Sequence, residues 1–298
     1  MTRTRRTFMG NDCNISTYNL KKEHNFKLNF RSWFPMNPRG LVIFIHGAGE
    51  DSSRYFDIGA ESAKRQFAFV APDLRGFGQS DGQPGHIHQF HTYLDDLDQL
   101  IEHFEKQFPK IPVYLFGHSL GGLIIIRYVQ HFTMAIDKLA GVILSSPALG
   151  IHTRIPYFFR KCAQLFSRLT PSFPLELIRW NESLKKLRWL QAYLPNWTSE
   201  LLSDPSTTVQ YTPRWITELL RHEARALREA NQFRVPTLCL YGLQDSVADS
   251  KHIELFMQSI PASDKHSIFF EDGGHCPLNE HRKDEAIESV FQWLGSRL

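Results

Sequence analysis

Six short apolar runs punctuate the chain: Leu41 to His46, Phe67 to Ala71, Val113 to Phe116, Ala140 to Ser145, Thr237 to Tyr241 and His266 to Phe270. Each is the length of a strand rather than of a core-spanning helix. Helical patterns separate them. Phe90 to Phe108 carries Phe90, Tyr93, Leu94, Leu97, Leu100, Ile101 and Phe104 at three- and four-residue spacing, and Lys251 to Ser259 is a second such stretch. Alternation of this kind predicts an α/β fold with a mostly parallel central sheet flanked by helices. Phe26 to Phe30 and Trp33 to Phe34 alternate polar and apolar residues ahead of a Pro-Met-Asn-Pro turn, which predicts an antiparallel edge.

The alternation stops after Pro147 and resumes near Pro236. The residues between are rich in helix formers and aromatics and hold no strand-like run, so residues 1–147 and 236–298 are read as one core domain and 148–235 as an inserted helical cap. Residues 151–193 contain Arg154, Arg160, Lys161, Arg168, Arg179, Lys185, Lys186 and Arg188 against Glu176 and Glu182. That is +6 in a chain whose formal net charge is +3, so the remainder is net negative. The same stretch holds Tyr157, Phe158, Phe159, Phe166, Phe173, Trp180, Trp189 and Tyr193. Apolar side chains beside Lys and Arg suit a surface that touches anionic lipid transiently, although charge runs are more often solvated helix faces.

At 298 residues and 42% hydrophobic content the chain can bury a large core without metals or disulfides. The small net charge writes no nucleic-acid footprint into the overall balance. Cys13, Cys162, Cys239 and Cys276 lie far apart in no zinc-like spacing and read as free thiols, which points to a reducing, cytoplasmic compartment with peripheral membrane contact as an option. The basic start, with Arg3, Arg5 and Arg6, is followed by no apolar stretch long enough for a secretory leader. No window approaches the roughly 18 apolar residues that span a bilayer.

The run from Val113 ends in Gly117-His118-Ser119-Leu120-Gly121 and passes at once into Leu-Ile-Ile-Ile-Arg-Tyr-Val-Gln. A Gly-x-Ser-x-Gly pattern alone arises by chance in about one chain in ten of this length. Here it lies between strand and helix, where a sharp reversal needs glycines around the turn residue and holds the Ser119 hydroxyl out from the sheet. A neutral serine needs a base, and the base an orienting carboxylate. Asp245 lies just past the Thr237 to Tyr241 strand, and His275 follows the His266 to Phe270 strand. Asp245 and His275 stand in loops at the carboxyl ends of strands, where open α/β sheets carry their chemistry. Asp249 and Asp272 compete for the acid, but only Asp245 lies immediately past its strand, and His46 and His118, which compete for the base, flank the proposed functional backbone. Two backbone N–H donors must face the oxyanion. Leu120 follows the nucleophile directly, and Ala48, in His46-Gly47-Ala48-Gly49-Glu50, is the second.

His46 to Glu50 with Ser53-Arg54-Tyr55, the stretch Asp73-Leu74-Arg75-Gly76-Phe77-Gly78-Gln79-Ser80-Asp81-Gly82, and Gly117 to Gly122 together resemble the monoacylglycerol lipase and lysophospholipase branch of the α/β-hydrolases. The match covers roughly residues 20 to 295. The resemblance implies Ser119 as nucleophile, His275 as base, Asp245 as its acid, Ala48 and Leu120 as oxyanion donors, and no metal or cofactor. It also implies a single-chain lipid ester, a monoacylglycerol or a lysophospholipid, as substrate. A small-molecule carboxylesterase, a thioesterase and a peptidase share the fold, and a scaffold protein would be expected to have lost a member of the triad. Cys276 has no glycine elbow and reads as a bystander thiol. Gly76, Gly78 and Gly82 are wrongly spaced for a dinucleotide loop. Arg75 and Asp81 either brace the site or are surface charges.

Overall fold

The computed structural model describes residues 4–5, 13–20, 26–132, 138–151, 157–176, 208 and 210–298. The described strands are β1 (Thr4–Arg5), β2 (Cys13–Asn19), β3 (Lys27–Trp33), β4 (Gly40–Ile45), β5 (Phe67–Pro72), β6 (Val113–His118), β7 (Leu139–Ser145), β8 (Thr237–Gly242) and β9 (Lys265–Phe270). The described helices are α1 (Phe56–Lys64), α2 (His91–Gln107), α3 (Leu120–His131), α4 (Tyr157–Leu169), α5 (Pro213–Arg228), α6 (Ser250–Ser259) and α7 (Lys283–Gly295). The strands form one sheet in the spatial order β1-β2-β3-β5-β4-β6-β7-β8-β9. From β5 to β9 all neighbours are parallel.

Alternation within β4 explains the unbroken apolar runs. Leu41, Ile43 and Ile45 enter the core beneath α2, α3 and α6, whereas Val42 and Phe44 enter the opposite core beneath α1 and α7. Each such side chain contributes about 2 kcal/mol of apolar burial, and a one-residue slip would exchange the two sets of residues between two differently shaped layers.

The predicted antiparallel edge needs correction. Phe26 to Phe34 contributes a single strand, β3, which lies inside the sheet between β2 and β5 and is antiparallel to both. β2 was not evident because Cys-Asn-Ile-Ser-Thr-Tyr-Asn is largely polar. Pairing with β3 from Cys13↔Trp33 to Asn19↔Lys27 satisfies its backbone, while Ser16 and Tyr18 supply the buried side chains.

The chain runs from β4 to β5 on one side and returns to place β6 on the other. Strand order therefore reverses between β4 and β6, which opens a crevice at their carboxyl ends. Between β7 and β8 the chain leaves the sheet for α4 and α5. Helix α5 begins at Thr212, whose Oγ1 accepts the Trp215 N–H at 3.3 Å, with Pro213 as first helical residue. It docks on the sheet layer through Glu218, whose Oε2 accepts the Phe90 N–H at 3.0 Å. Glu229, just beyond it, pairs with the buried Arg127 at 2.7 Å. Among the described residues no helix is long and apolar enough to cross a membrane.

Candidate active site

Ser119 sits between β6 and α3 with φ 50° and ψ −113°, a left-handed conformation strained for any residue with a Cβ. The strain is held in place by backbone bonds: Ser119 N–H donates to Ser145 O at 2.9 Å, and Ser119 O accepts from Leu123 and Ala148 N–H at 3.1 and 3.0 Å. The flanking glycines are required by space. A Cβ on Gly117 would lie 2.5 Å from the Gly121 carbonyl carbon, and one on Gly121 would overlap the Ile45 carbonyl. The elbow is thus pressed against the end of β4.

Three predicted residues meet here. His275 Nε2 lies 2.9 Å from Ser119 Oγ, and His275 Nδ1 lies 2.8 Å from Asp245 Oδ2. Because a carboxylate accepts, Nδ1 carries the proton and Nε2 turns its lone pair to the serine hydroxyl. The other oxygen of Asp245 accepts the Val247 and Ala248 N–H groups at 2.7 and 3.0 Å, which fixes the carboxylate's orientation. Burial opposes a charged His275. Asp245, by charge and hydrogen bond, and then Glu50 and Glu280 outweigh it and hold the imidazole pKa above the ordinary histidine value.

The rival residues have other partners. His118 donates from Nδ1 to Ser145 O at 3.1 Å, and burial pushes its pKa down to about 4. His46 accepts the Leu74 N–H on Nε2 at 2.9 Å and donates from Nδ1 to Gly47 O at 2.7 Å, tying the loop after β4 to that after β5. Asp249 caps α6 and pairs with His252, and exposed Asp272 pairs with His281. Arg75 and Asp81 both brace structure. Arg75 pairs with Asp96 at 2.7 Å and lies over the Phe26 ring, while Asp81 accepts the Lys27 N–H at 2.9 Å.

Ala48 lies in the loop after β4 and Leu120 at the first turn of α3, and neither backbone N–H donates to another described residue. A helix N-terminus adds its dipole to the second donor. The loop carrying Ala48 is held by a residue that sequence reading left without a role. Glu50 Oε2 accepts the Gly47 N–H at 2.8 Å and the Tyr55 hydroxyl at 2.6 Å, with Arg54 Nε 3.5 Å from its other oxygen. Burial disfavours an ionised Glu50, yet His118, Arg54 and the Tyr55 hydroxyl hold its pKa below the usual glutamate value. Glu280, equally unnoticed, clamps the loop of the histidine by accepting Gly274 N–H at 2.7 Å and Cys276 N–H at 2.9 Å. Asp73 joins the loops after β4 and β5 by accepting from Ser52 N–H at 2.8 Å and Gln79 N–H at 2.9 Å. The recoverable signal for Glu50 was an acid five residues past the end of β4, closing a glycine-rich loop; for Glu280 there was none.

Of the basic and aromatic cluster, the backbones of α4 and the turn after it are described. Tyr157, Phe158, Leu165, Phe166, Leu169 and Phe173 are all more than half exposed, close to Arg160, Lys161 and Arg168. Arg154, Arg179, Lys185, Lys186, Arg188, Glu182, Trp180, Trp189 and Tyr193 lie outside the described residues, as do Arg3 and Arg6.

The family described as serine aminopeptidase, S33, matches residues 36–282. The monoglyceride lipase of Homo sapiens is 28% identical over 273 residues, covering 90% of this chain and 86% of that protein. The monoglyceride lipase of Rattus norvegicus is 27% identical over 275 residues with the same coverage. Among solved structures, the monoacylglycerol lipase of Paleococcus ferrophilus superposes with a TM-score of 0.74 at 26% identity, covering 91% of this chain and 99% of that one.

Proposed function

Since the chain belongs to the serine aminopeptidase S33 family of α/β-fold serine hydrolases, we propose that it cleaves carboxyl esters of single-chain lipids, monoacylglycerols or lysophospholipids, through Ser119, His275 and Asp245. The observation that carries this reading is the unbroken hydrogen-bond chain from Ser119 Oγ through His275 to Asp245, set on a strained elbow. Similarity to monoglyceride lipases over nine-tenths of the chain supports the substrate class.

In this mechanism Ser119 Oγ attacks the ester carbonyl carbon as its proton passes to His275 Nε2. The Ala48 and Leu120 N–H groups stabilise the tetrahedral oxyanion, a contribution of about 3 kcal/mol per donor in comparable sites. Asp245 stabilises the imidazolium. Collapse expels the alcohol, which takes the proton from His275, and leaves an acyl-enzyme. Water then repeats the cycle and releases the fatty acid, with no step that calls for a metal or cofactor.

Residues 148–235 serve in this reading as a cap over the acyl chain. The exposed aromatic and leucine side chains of α4, with Arg160, Lys161 and Arg168 beside them, suit transient contact with anionic lipid, and a cytoplasmic location at or near membrane surfaces belongs to the same proposal. The family's description gives weight to a second reading, an aminopeptidase. One panel separates them: monoacylglycerols and lysophosphatidylcholines of matched chain length, short p-nitrophenyl esters and an aminoacyl amide, each with Ser119→Ala as control. Preferred turnover of a long-chain lipid, lost in the variant, is the expected result. Activity confined to short esters or to the amide overturns the lipid assignment.

A further inference from the structure

Directly behind His275, three side chains that take no part in the proposed proton transfers turn their ligating atoms toward one another. Glu50 comes from the loop after β4, His118 from the end of β6 and Cys276 from the loop after β9. A carboxylate oxygen, an imidazole nitrogen and the thiol sulfur lie within 4.8 Å of one another. Cys276 Sγ is 3.6 Å from His118 Nε2. We propose that Glu50, His118 and Cys276 form an inhibitory binding site for a thiophilic divalent cation of the zinc type.

The donor set suits such an ion. Zinc takes sulfur, nitrogen and carboxylate ligands together at distances of about 2.0–2.3 Å, so ligand atoms spaced as these are need small movements to close on one ion. Second-sphere contacts are already formed. His118 donates from Nδ1 to Ser145 O, which leaves the Nε2 lone pair facing Cys276. Glu50 is oriented by Gly47 N–H and Tyr55 OH, and Cys276 by its N–H bond to Glu280. Glu50 and His118 are nearly fully buried, whereas Cys276 keeps partial exposure. Binding breaks the Cys276 S–H bond, forms a sulfur–metal bond and releases one proton to solvent.

Occupancy would act on the neighbouring chemistry from three directions. Cys276 is joined to His275 by a peptide bond, the His118 and His275 rings are 5.1 Å apart between centroids, and Glu50 holds the loop of Ala48. A cation at this point opposes the positive charge that His275 must acquire and replaces the favourable field of Glu50. The inhibitory half of the proposal rests on the assignment of Ser119 and His275; the binding half does not.

The test is a titration of the full-length reduced protein with Cd²⁺, read by thiolate-to-cadmium absorption in the near ultraviolet, alongside Zn²⁺ inhibition of ester hydrolysis. Wild type is expected to gain one saturable band that Zn²⁺ displaces, and to lose activity over the same Zn²⁺ range. Cys276→Ala and His118→Asn are expected to lose the high-affinity band and to need at least tenfold more Zn²⁺ for half-inhibition, each measured against its own metal-free rate. Cys276→Ser, the smaller change, serves if either variant fails to fold. No saturable band in wild type, or an equal band in Cys276→Ala, overturns the site whatever the enzyme's substrate proves to be. A band without inhibition overturns the inhibitory role alone.

Discussion

The loops at the carboxyl ends of β4, β6, β8 and β9 and the surface of α4 are built on opposite principles. In the loops each acid that matters is held by hydrogen bonds: Asp245 by two backbone N–H groups and an imidazole, Glu50 through one oxygen by an N–H and a hydroxyl, Glu280 by two N–H groups. Helix α4 instead leaves Tyr157, Phe158, Leu165, Phe166 and Leu169 open to solvent. Satisfied polar networks fix geometry to within fractions of an ångström, as bond-making requires. Exposed apolar area on one helix face fixes little and adapts to whatever covers it. Substitutions in the loops should therefore alter turnover of every substrate alike, and those on α4 should matter according to the physical state of the substrate.

The largest effect expected from this contrast belongs to Ser119→Ala, which should reduce turnover of all esters on the order of 10⁵-fold or more. Asp245→Asn should cost about 10⁴-fold, because an amide can hold the wrong imidazole tautomer. Both follow from steady-state kinetics, with circular dichroism to verify folding. A loss confined to micellar substrates in either variant would erase the distinction between the two regions. Gly121→Ala tests the loops' rigidity instead. Its added methyl would overlap the Ile45 carbonyl, and the overpacking should lower stability by about 3 kcal/mol, read as a shift of the urea midpoint.

The acid–base pair adds a pH signature. His275 must be neutral to accept the Ser119 proton, and its neighbours raise its pKa above 6.5. Thus kcat/KM on a soluble ester should rise tenfold per unit below a midpoint lying above pH 6.5 and level off beyond it. The measurement belongs in chelated buffer, so that no cation contributes. Stability runs the other way. Protonated His275 favours the fold in full below its unfolded pKa, and that contribution is lost as pH rises through the folded value. A rate profile flat between pH 5 and 8 would contradict the role of His275.

What the sequence revealed follows the same division. Strands β4 to β8 were legible because burial on both faces leaves few polar residues to blur them, and the largely exposed edge strand β9 through its closing Ile-Phe-Phe, whereas β2 was hidden by its polarity and β3 was mistaken for an edge. Ser119, Asp245 and His275 were legible because each closes a strand. Glu280 and Asp73 act by accepting backbone N–H groups, and a side chain that serves a backbone leaves no mark in residue type. Cys276 looked inert by spacing, since His118 lies 158 positions away and the fold alone brings them together. In Asp73 to Gly82 the motif was visible but its purpose was not. Asp73, Arg75 and Asp81 brace loops.

The smallest chemical effect, and the sharpest test of the contrast, lies on α4. Arg160→Glu combined with Lys161→Glu and Arg168→Glu reverses three charges beside the exposed aromatic side chains, and none of the three contacts Ser119, Asp245 or His275. Attraction between a basic surface and anionic lipid is worth about 1 kcal/mol per residue near the membrane, so neutralising and then reversing three charges should weaken co-sedimentation with phosphatidylserine vesicles by at least tenfold. Hydrolysis of p-nitrophenyl acetate should stay within about twofold, because the elbow and its acceptors are untouched. High salt should weaken wild-type vesicle binding in the same direction. If binding survives both the reversal and the salt, the aromatic side chains alone carry it; if the soluble ester is slowed as much as vesicle binding, α4 is coupled to the loops and the two regions are not independent.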